Sequence, residues 1–398
     1  MIFVFLLCIA LLILSFLGSK KNILSPGVIT SSIWIVCLSL FWILHHNLPP
    51  LSSQFLGSLS IWVTLLCLSS LLMQSVSTKV TIGEPSRLVR DVFFWISIIT
   101  FPLFLMFIQN ALKLGHSGNW SMDLRMASLG KTRDFKEIYS GIHIIIWQVS
   151  YLIELFYFSK KNKNRVFILG IMILSFAFLT MSKAAFLEFF IKTICILYFK
   201  KNITLKHILI GLGALFFIFA ILQAIRYSSK VESVNKNDFS VQYLLSSISA
   251  FDTLTPASST NWGENVFRFY YSAAYKLGIT TIKPIDTLLP FIDKPIITNT
   301  YTGMYPFFKD FGYYGITIFA AFLGFLYGWI FNKAQRGNIF CILLYTTFIQ
   351  FIIMQYVAEM FITSLLAYLK QIILLALPFW AAKYKIFNID KFYKPAHE

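Results

Sequence analysis

Along most of the chain, apolar runs of bilayer length alternate with polar breaks too short to fold alone. In order, the runs cover about 2–18, 28–45, 54–73, 92–112 and 138–158. A longer stretch, Val166 to Phe199, is interrupted at Ser182-Lys183, and further runs cover about 208–225 and 312–331. The last, about 338–380, is too long for one crossing and breaks at Ala358-Glu359. An α-helix rises ~1.5 Å per residue and the hydrocarbon core is ~30 Å thick, so each run predicts a transmembrane helix and each broken stretch a pair. That makes eleven spans, with no internal repeat and no separate soluble domain; residues 1–398 read as a single transmembrane domain.

Lysine and arginine orient the spans, because they collect in cytoplasmic loops. With the N-terminus outside and the C-terminus inside, Lys20-Lys21, Lys79, Arg87 and Arg90, Lys160 to Arg165, Lys200, Lys201 and Lys206, Lys333 and Arg336, and the tail lysines all share one side. The first run has no basic leader and no small-residue cleavage site, so it reads as a retained span. Basic clusters flank Val166–Phe199 at both ends, which makes it a hairpin. Each arm has about 16 residues, roughly 24 Å at ~1.5 Å per residue. Such short arms place Ser182-Lys183 at or just below the outer interface.

Two outer loops stand out, 113–137 and 226–311. In the first, Ser121 to Gly130 predicts a short amphipathic helix. Ser121 caps it, Asp123 suits its first turn, Gly130 ends it, and Arg125 faces the membrane surface. In the second, Glu264 to Leu277 predicts another, with Val266, Ala273 and Leu277 on one face and Arg268, Tyr271 and Tyr275 on another. Glu264 is placed to pair with Arg268 four residues on. This larger loop runs for roughly eighty residues without a bilayer-length apolar segment. Its aromatics and prolines argue against disorder, and it predicts the lid and much of the active site of a membrane-embedded enzyme.

Composition agrees with the class and narrows the chemistry. The 398 residues are 57% hydrophobic, 13% charged and include 42 phenylalanines, more apolar surface than a soluble domain can hide. The net charge of +17 is mostly topological and its clusters are small, so no nucleic-acid partner is expected. The five cysteines fall inside apolar runs without metal-ligand spacing. There is no phosphate-binding glycine loop, no H-E-x-x-H, no G-x-S-x-G and no Asp-x-Asp pair, so neither metal nor other cofactor is expected. Within the spans, Glu188 and Lys192 predict a neutralising pair, and Lys370 calls for Glu154 or Glu188.

What remains on the outer face is a set of cations, Arg125, Lys183, Arg226 and Arg268, with the acids Glu264 and Asp310. Guanidinium forks match phosphate oxygens. Aromatic faces such as those of Trp262, Tyr271, Tyr275, Tyr301 and Tyr305 suit the apolar faces of sugar rings. A carboxylate takes the proton from an attacking hydroxyl. The set suits a lipid-linked phosphate-sugar substrate, with fixed cations doing at a pyrophosphate leaving group what Mg²⁺ does elsewhere. Plainer alternatives stand beside these roles: headgroup contacts for Arg125 and Arg268, snorkelling for Arg226, helix capping for Asp310, and simple pairing with Arg268 for Glu264.

The chain resembles the oligosaccharide repeat-unit polymerases, the O-antigen polymerase family. The resemblance rests on span count, on the large outer loop between late spans, and on loose local signatures. These are Asp123-Leu124-Arg125-Met126-Ala127, Leu179-Thr180-Met181-Ser182-Lys183, and Asn299-Thr300-Tyr301-Thr302 through Tyr305-Pro306-Phe307-Phe308-Lys309-Asp310-Phe311-Gly312. It covers most of the chain, although Lys183 stands where the family often has Arg. It implies an all-α polytopic membrane protein of the lipid-linked glycosyltransferase (GT-C-like) type in the bacterial inner membrane. Such an enzyme polymerises O-antigen or capsule repeat units on the periplasmic face, from undecaprenyl-pyrophosphate-linked oligosaccharide, with a chain-length regulator protein as a further partner. Arg125, Lys183, Arg226 and Arg268 would hold pyrophosphate, and Asp310, or failing it Glu264, would be the base. The rivals are an O-antigen ligase, whose His-containing outer-loop motif is missing here, and a flippase for the same lipid-linked substrate.

Overall fold

The structure, a computed structural model, describes residues 1–44, 48–76, 83–115, 118–128, 141–180, 182–203, 206, 210–211, 213, 245–286, 289–293 and 298–384. Among these, thirteen helices follow in order: α1 Ile2–Gly18, α2 Pro26–Ile43, α3 Ser53–Ser75, α4 Arg87–Lys113, α5 Trp120–Ser128, α6 Ile142–Phe156, α7 Lys163–Leu179, α8 Lys183–Phe199, α9 Ser246–Phe251, α10 Arg268–Lys276, α11 Tyr305–Gln335, α12 Ile339–Met354 and α13 Leu365–Lys383. The described residues hold no strand, only one antiparallel bridge between Ile292 and Thr298. Five helices (α2, α3, α4, α11 and α13) are long and apolar enough to cross a membrane, and α1, α6 and α12 are shorter apolar helices. This is the make-up of a multi-pass helical membrane protein. Most of the run expected over 208–225, and Arg226 after it, lie outside the described residues.

The chain divides into two compact units, each drawn from three separate segments. The first comprises Met1–Lys79, Ser233–Arg336 and Phe348–Tyr368. It is organised by α3 and α11, which run parallel in close contact. Gly324 and Gly328, one turn apart on α11, permit that approach. A Cβ at 324 would stand 2.6 Å from the Leu66 carbonyl oxygen, and one at 328 would stand 2.4 Å from that of Ser70. Small residues at such spacing let backbones meet, and dispersion contacts along the seam then hold the pair. Where the two helices end, the Asn332 amide donates to the carbonyls of Met73 and Val76, both at 2.8 Å.

Polar side chains inside this unit have partners that fix neighbouring elements. Gln355, just past α12, accepts the indole N–H groups of Trp34 (3.2 Å) and Trp62 (2.7 Å) and donates to the Thr30 hydroxyl (3.1 Å). Asp252, just past α9, accepts the backbone N–H of Ser52 (3.0 Å) and the Ser52 hydroxyl at the start of α3. Phe251 packs on Phe55 and Phe308, with ring centroids 5.8 and 4.9 Å apart. The segment that begins with α9 is thus bolted to the end of a long apolar helix.

Near its start α11 contains a break at Gly312, whose φ of 60° and ψ of −142° fit no L side chain comfortably. The break leaves carbonyls without helical partners, and the loop supplies them. Ala257 and Ser258 donate their N–H groups to the carbonyls of Phe308 (3.1 Å) and Lys309 (2.9 Å).

The second unit comprises Val80–Glu232, Gly337–Thr347 and Leu369–Glu398. Arg90 of α4 forks onto Glu154 of α6 with three N···O distances of 3.1 to 3.2 Å, and Asn162 donates to the same carboxylate at 2.8 Å. Arg165 pairs with Asp91. The stretch expected as a hairpin does break where the polar pair falls: α7 ends at Leu179, and the Ser182 hydroxyl accepts the N–H of Ala185 at the start of α8. Lys192 pairs with Glu188, as expected, and donates to Gln148 at 3.2 Å. Lys370 does not take either acid proposed for it, since Arg90 holds Glu154 and Lys192 holds Glu188. It lies exposed instead.

Candidate functional site

The segment between α9 and α11 is built around Asp310. Its carboxylate, almost fully buried, accepts the Asn265 side-chain amide (2.6 Å), the backbone N–H groups of Asn265 (3.0 Å) and Val266 (2.8 Å), and the Ser259 hydroxyl (2.5 Å). A carboxylate with this many donors is a clamp that draws residues 259–266 onto the first turns of α11. Asp310 therefore does not cap α11, within which it lies, and its lone pairs are occupied by protein groups.

The clamp delivers Arg268. It is the first residue of α10, not the second turn of a longer helix, so Glu264 stands outside the helix and the expected pair with Arg268 does not form. Glu264 instead accepts the backbone N–H groups of Thr260 (3.0 Å) and Asn261 (3.1 Å) and the Asn261 amide (2.9 Å), closing a local turn. Freed from Glu264, the Arg268 guanidinium donates through Nε to the Ile285 carbonyl at 2.7 Å and through Nη1 to the Thr363 carbonyl at 3.4 Å. Both acceptors are neutral, so its charge remains available. Burial pulls Arg268 below its ordinary pKa, and the nearby Asp286 charge pushes the other way; an arginine stays cationic in either case.

Arg268 lines a cavity of about 260 Å³. The walls come from the start of α10, from Ile285, Asp286 and Leu289, from the stretch Asn299 to Pro306, and from 358–364 between α12 and α13. The lining is rich in hydroxyls and amides: Asn265, Asn299, Thr300, Thr302, Thr363 and Ser364, with Tyr301 and Tyr305. The two tyrosine rings lean together with centroids 4.7 Å apart. Thr302 is fully buried and its hydroxyl has no partner among the described residues, an open demand for a hydrogen bond. Two acids, Asp286 and Glu359, complete the lining. The arrangement offers a fixed guanidinium for an anion beside a polar and aromatic wall for hydroxyls.

Of the residues singled out from sequence, the cavity brings together Arg268, Tyr301 and Tyr305. Three aromatics of the same loop make different contacts. Trp262 is 74% exposed and stacks on Phe267 at 5.3 Å, Tyr271 donates to the Trp262 carbonyl at 2.8 Å, and Tyr275 is exposed. Arg125 and Lys183 belong to the second unit, and Arg226 lies outside the described residues. Arg125 sits on α5, which Asn119 and not Ser121 begins: the Asn119 side chain accepts the Ser121 N–H at 3.0 Å. Lys183 is the first residue of α8, where the helix dipole disfavours a cation, so helix stability does not account for it. Sequence reading missed Asn265, Asp286 and Glu359, and had Thr302 only as part of a local signature. The signal for Glu359 was present, an acid in the middle of a 338–380 apolar stretch. No protein-family model, no curated protein and no solved structure matches this chain.

Proposed function

We propose that this chain is an oligosaccharide repeat-unit polymerase of the bacterial inner membrane, a glycosyltransferase with eleven spans, its N-terminus periplasmic and its C-terminus cytoplasmic. Donor and acceptor are both undecaprenyl-pyrophosphate-linked. The growing chain leaves its lipid and passes to a hydroxyl of a fresh repeat unit. One observation carries the reading: Arg268 stands in the wall of a cavity whose lining also holds hydroxyls, amides, two tyrosines and two acids, a phosphate fork beside groups that can bind sugar hydroxyls. Arg125, Lys183 and Arg226 are the further candidates for pyrophosphate contact, and no divalent metal is called on.

A gene-deletion strain tests this. Surface polysaccharide reduced to single-repeat caps supports a polymerase. Complete loss of caps indicates a ligase or flippase instead, and unchanged polymer sinks all three. Transfer by the purified protein is expected to persist in EDTA; strict dependence on an added divalent ion would count against stabilisation by side chains alone.

A further inference from the structure

We propose that Glu359 is the proton acceptor for the sugar hydroxyl that attacks in this cavity, an assignment that rests on the transferase reading above. The outer acids of the first unit sort by what they already hold. Asp252, Asp310 and Glu264 fasten loop to helix or close a turn. Asp286 and Glu359 line the cavity, and Asp286 is exposed while Glu359 is half-buried.

Glu359 is also the better oriented of the two. Its Oε1 accepts the backbone N–H groups of Phe361 (2.9 Å) and Ile362 (2.8 Å), and its Oε2 accepts that of Thr363 (2.8 Å). Oε1 is doubly held, whereas Oε2 accepts a single N–H with the Thr363 hydroxyl beside it, so Oε2 is the oxygen placed to take a substrate proton. Thr363 supplies the second link. Its N–H holds Glu359 while its carbonyl accepts Arg268, so one residue sets the spacing of base and cation. Among the described residues Glu359 forms no ion pair that would neutralise it. Burial raises its pKa above the ordinary value, opposed by the three N–H contacts that favour the ionised form. A carboxylate tuned upward is suited to general-base work.

The step balances. The acceptor hydroxyl oxygen forms the new bond to the donor's anomeric carbon as the bond from that carbon to the pyrophosphate oxygen breaks. The electron pair departs with the lipid pyrophosphate beside Arg268, and the hydroxyl proton passes to Glu359 and later to water. The charged and titratable groups facing Glu359 are Arg268 and Asp286 across the cavity, Tyr301 and Tyr305 in its wall, and Tyr327 of α11, which shares a small void with it. The guanidinium and the phenols titrate far above neutral pH.

The test uses purified full-length protein and undecaprenyl-pyrophosphate-linked repeat units, with transfer followed from pH 4 to 8. Wild-type turnover is expected to fall on the acid side, with an apparent pKa above the ordinary glutamate range. Glu359→Gln keeps an acceptor oxygen but takes no proton, and should lower kcat by roughly 10²- to 10⁴-fold with KM little changed. Asp286→Asn should keep the acid limb, moved if at all to lower pH by the loss of a facing negative charge. Should Glu359→Gln fail to accumulate, Glu359→Asp decides: a displaced acid limb supports the assignment and an unmoved one overturns it. Near-normal kcat in Glu359→Gln, with transfer abolished in Arg268→Ala, overturns the base and leaves the transferase standing. Absence of any transfer by wild type overturns both.

Discussion

Asp310 holds Asn265 twice, by the backbone N–H at 3.0 Å and by the side-chain amide at 2.6 Å, across 45 residues of chain. The pair turns a free loop into a wall, and its loss should be felt as loss of structure. Asp310→Ala strands the Asn265 amide, the Ser259 hydroxyl and two backbone donors. Each buried unsatisfied group costs about 1–3 kcal/mol, so a penalty on the order of 3 kcal/mol or more is expected. Limited proteolysis of membrane vesicles at residues 256–267 reads it, and activity should fall in step with protection. A variant that loses all activity with the loop still protected would return Asp310 to the chemistry.

Arg268 separates charge from geometry. Two of its five N–H donors go to carbonyls, leaving three in a rigid fork. Lysine cannot reproduce both anchors and the fork. Losing one such contact to developing charge costs on the order of 2–4 kcal/mol, which is roughly thirty- to a thousand-fold in rate. Polymer ladders from Arg268→Lys and Arg268→Ala, expressed at matched levels in the deletion strain, should both be short. Full ladders from both would remove Arg268 from the active site.

The seam between α3 and α11 makes a prediction about folding alone. Even one methyl group at Gly328 would press against the Ser70 carbonyl, and at Gly324 against that of Leu66. Overpacking of this kind costs about 1–3 kcal/mol, and more where backbone must move. Gly324→Ala and Gly328→Ala should each lower the thermal midpoint of the detergent-solubilised protein, and Gly328→Leu should abolish accumulation. A Gly328→Leu protein of unchanged stability would show that the helices do not meet as described.

Orientation follows from the basic clusters and is open to direct test. Reporter fusions at residues 162, 204 and 335 should be active only in the cytoplasm, and those at 120, 183 and 270 only in the periplasm. A cytoplasmic signal at 183 alone would undo the α7–α8 hairpin.

Hydropathy carried most of the helices, because an apolar run interrupted by one polar pair leaves few alternatives. The breaks at Ser182-Lys183 and at Ala358-Glu359 were both legible that way. The pairing of Glu188 with Lys192, inside one helix, was legible too. What failed was inference over distance. Asp310 reads locally as a helix cap, since nothing beside it announces Ser259 or Asn265 half a hundred residues upstream. Glu264 was misplaced by helical periodicity extended four residues too far: α10 starts at Arg268. Glu359 was visible only as punctuation between spans, because a cavity wall assembled from three distant segments has no signature in any one of them. Gly324 and Gly328 drew no notice in the sequence, which does not say which helix they meet.

Gln355 has a consequence for how the cavity meets a ligand. It opens the segment that carries Glu359 and Thr363, its carbonyl accepts the Gly303 N–H at 2.6 Å, and its side chain keeps Trp34 and Trp62 satisfied in an apolar interior. To shift this segment is to strand two buried indole donors at about 1–3 kcal/mol each. That side of the cavity therefore takes its shape when the protein folds, before any ligand arrives. Under the proposed function, recognition there would work as a gauge does: a repeat unit whose hydroxyls match the fixed wall is held, and one whose hydroxyls miss it finds nothing that will bend to meet them.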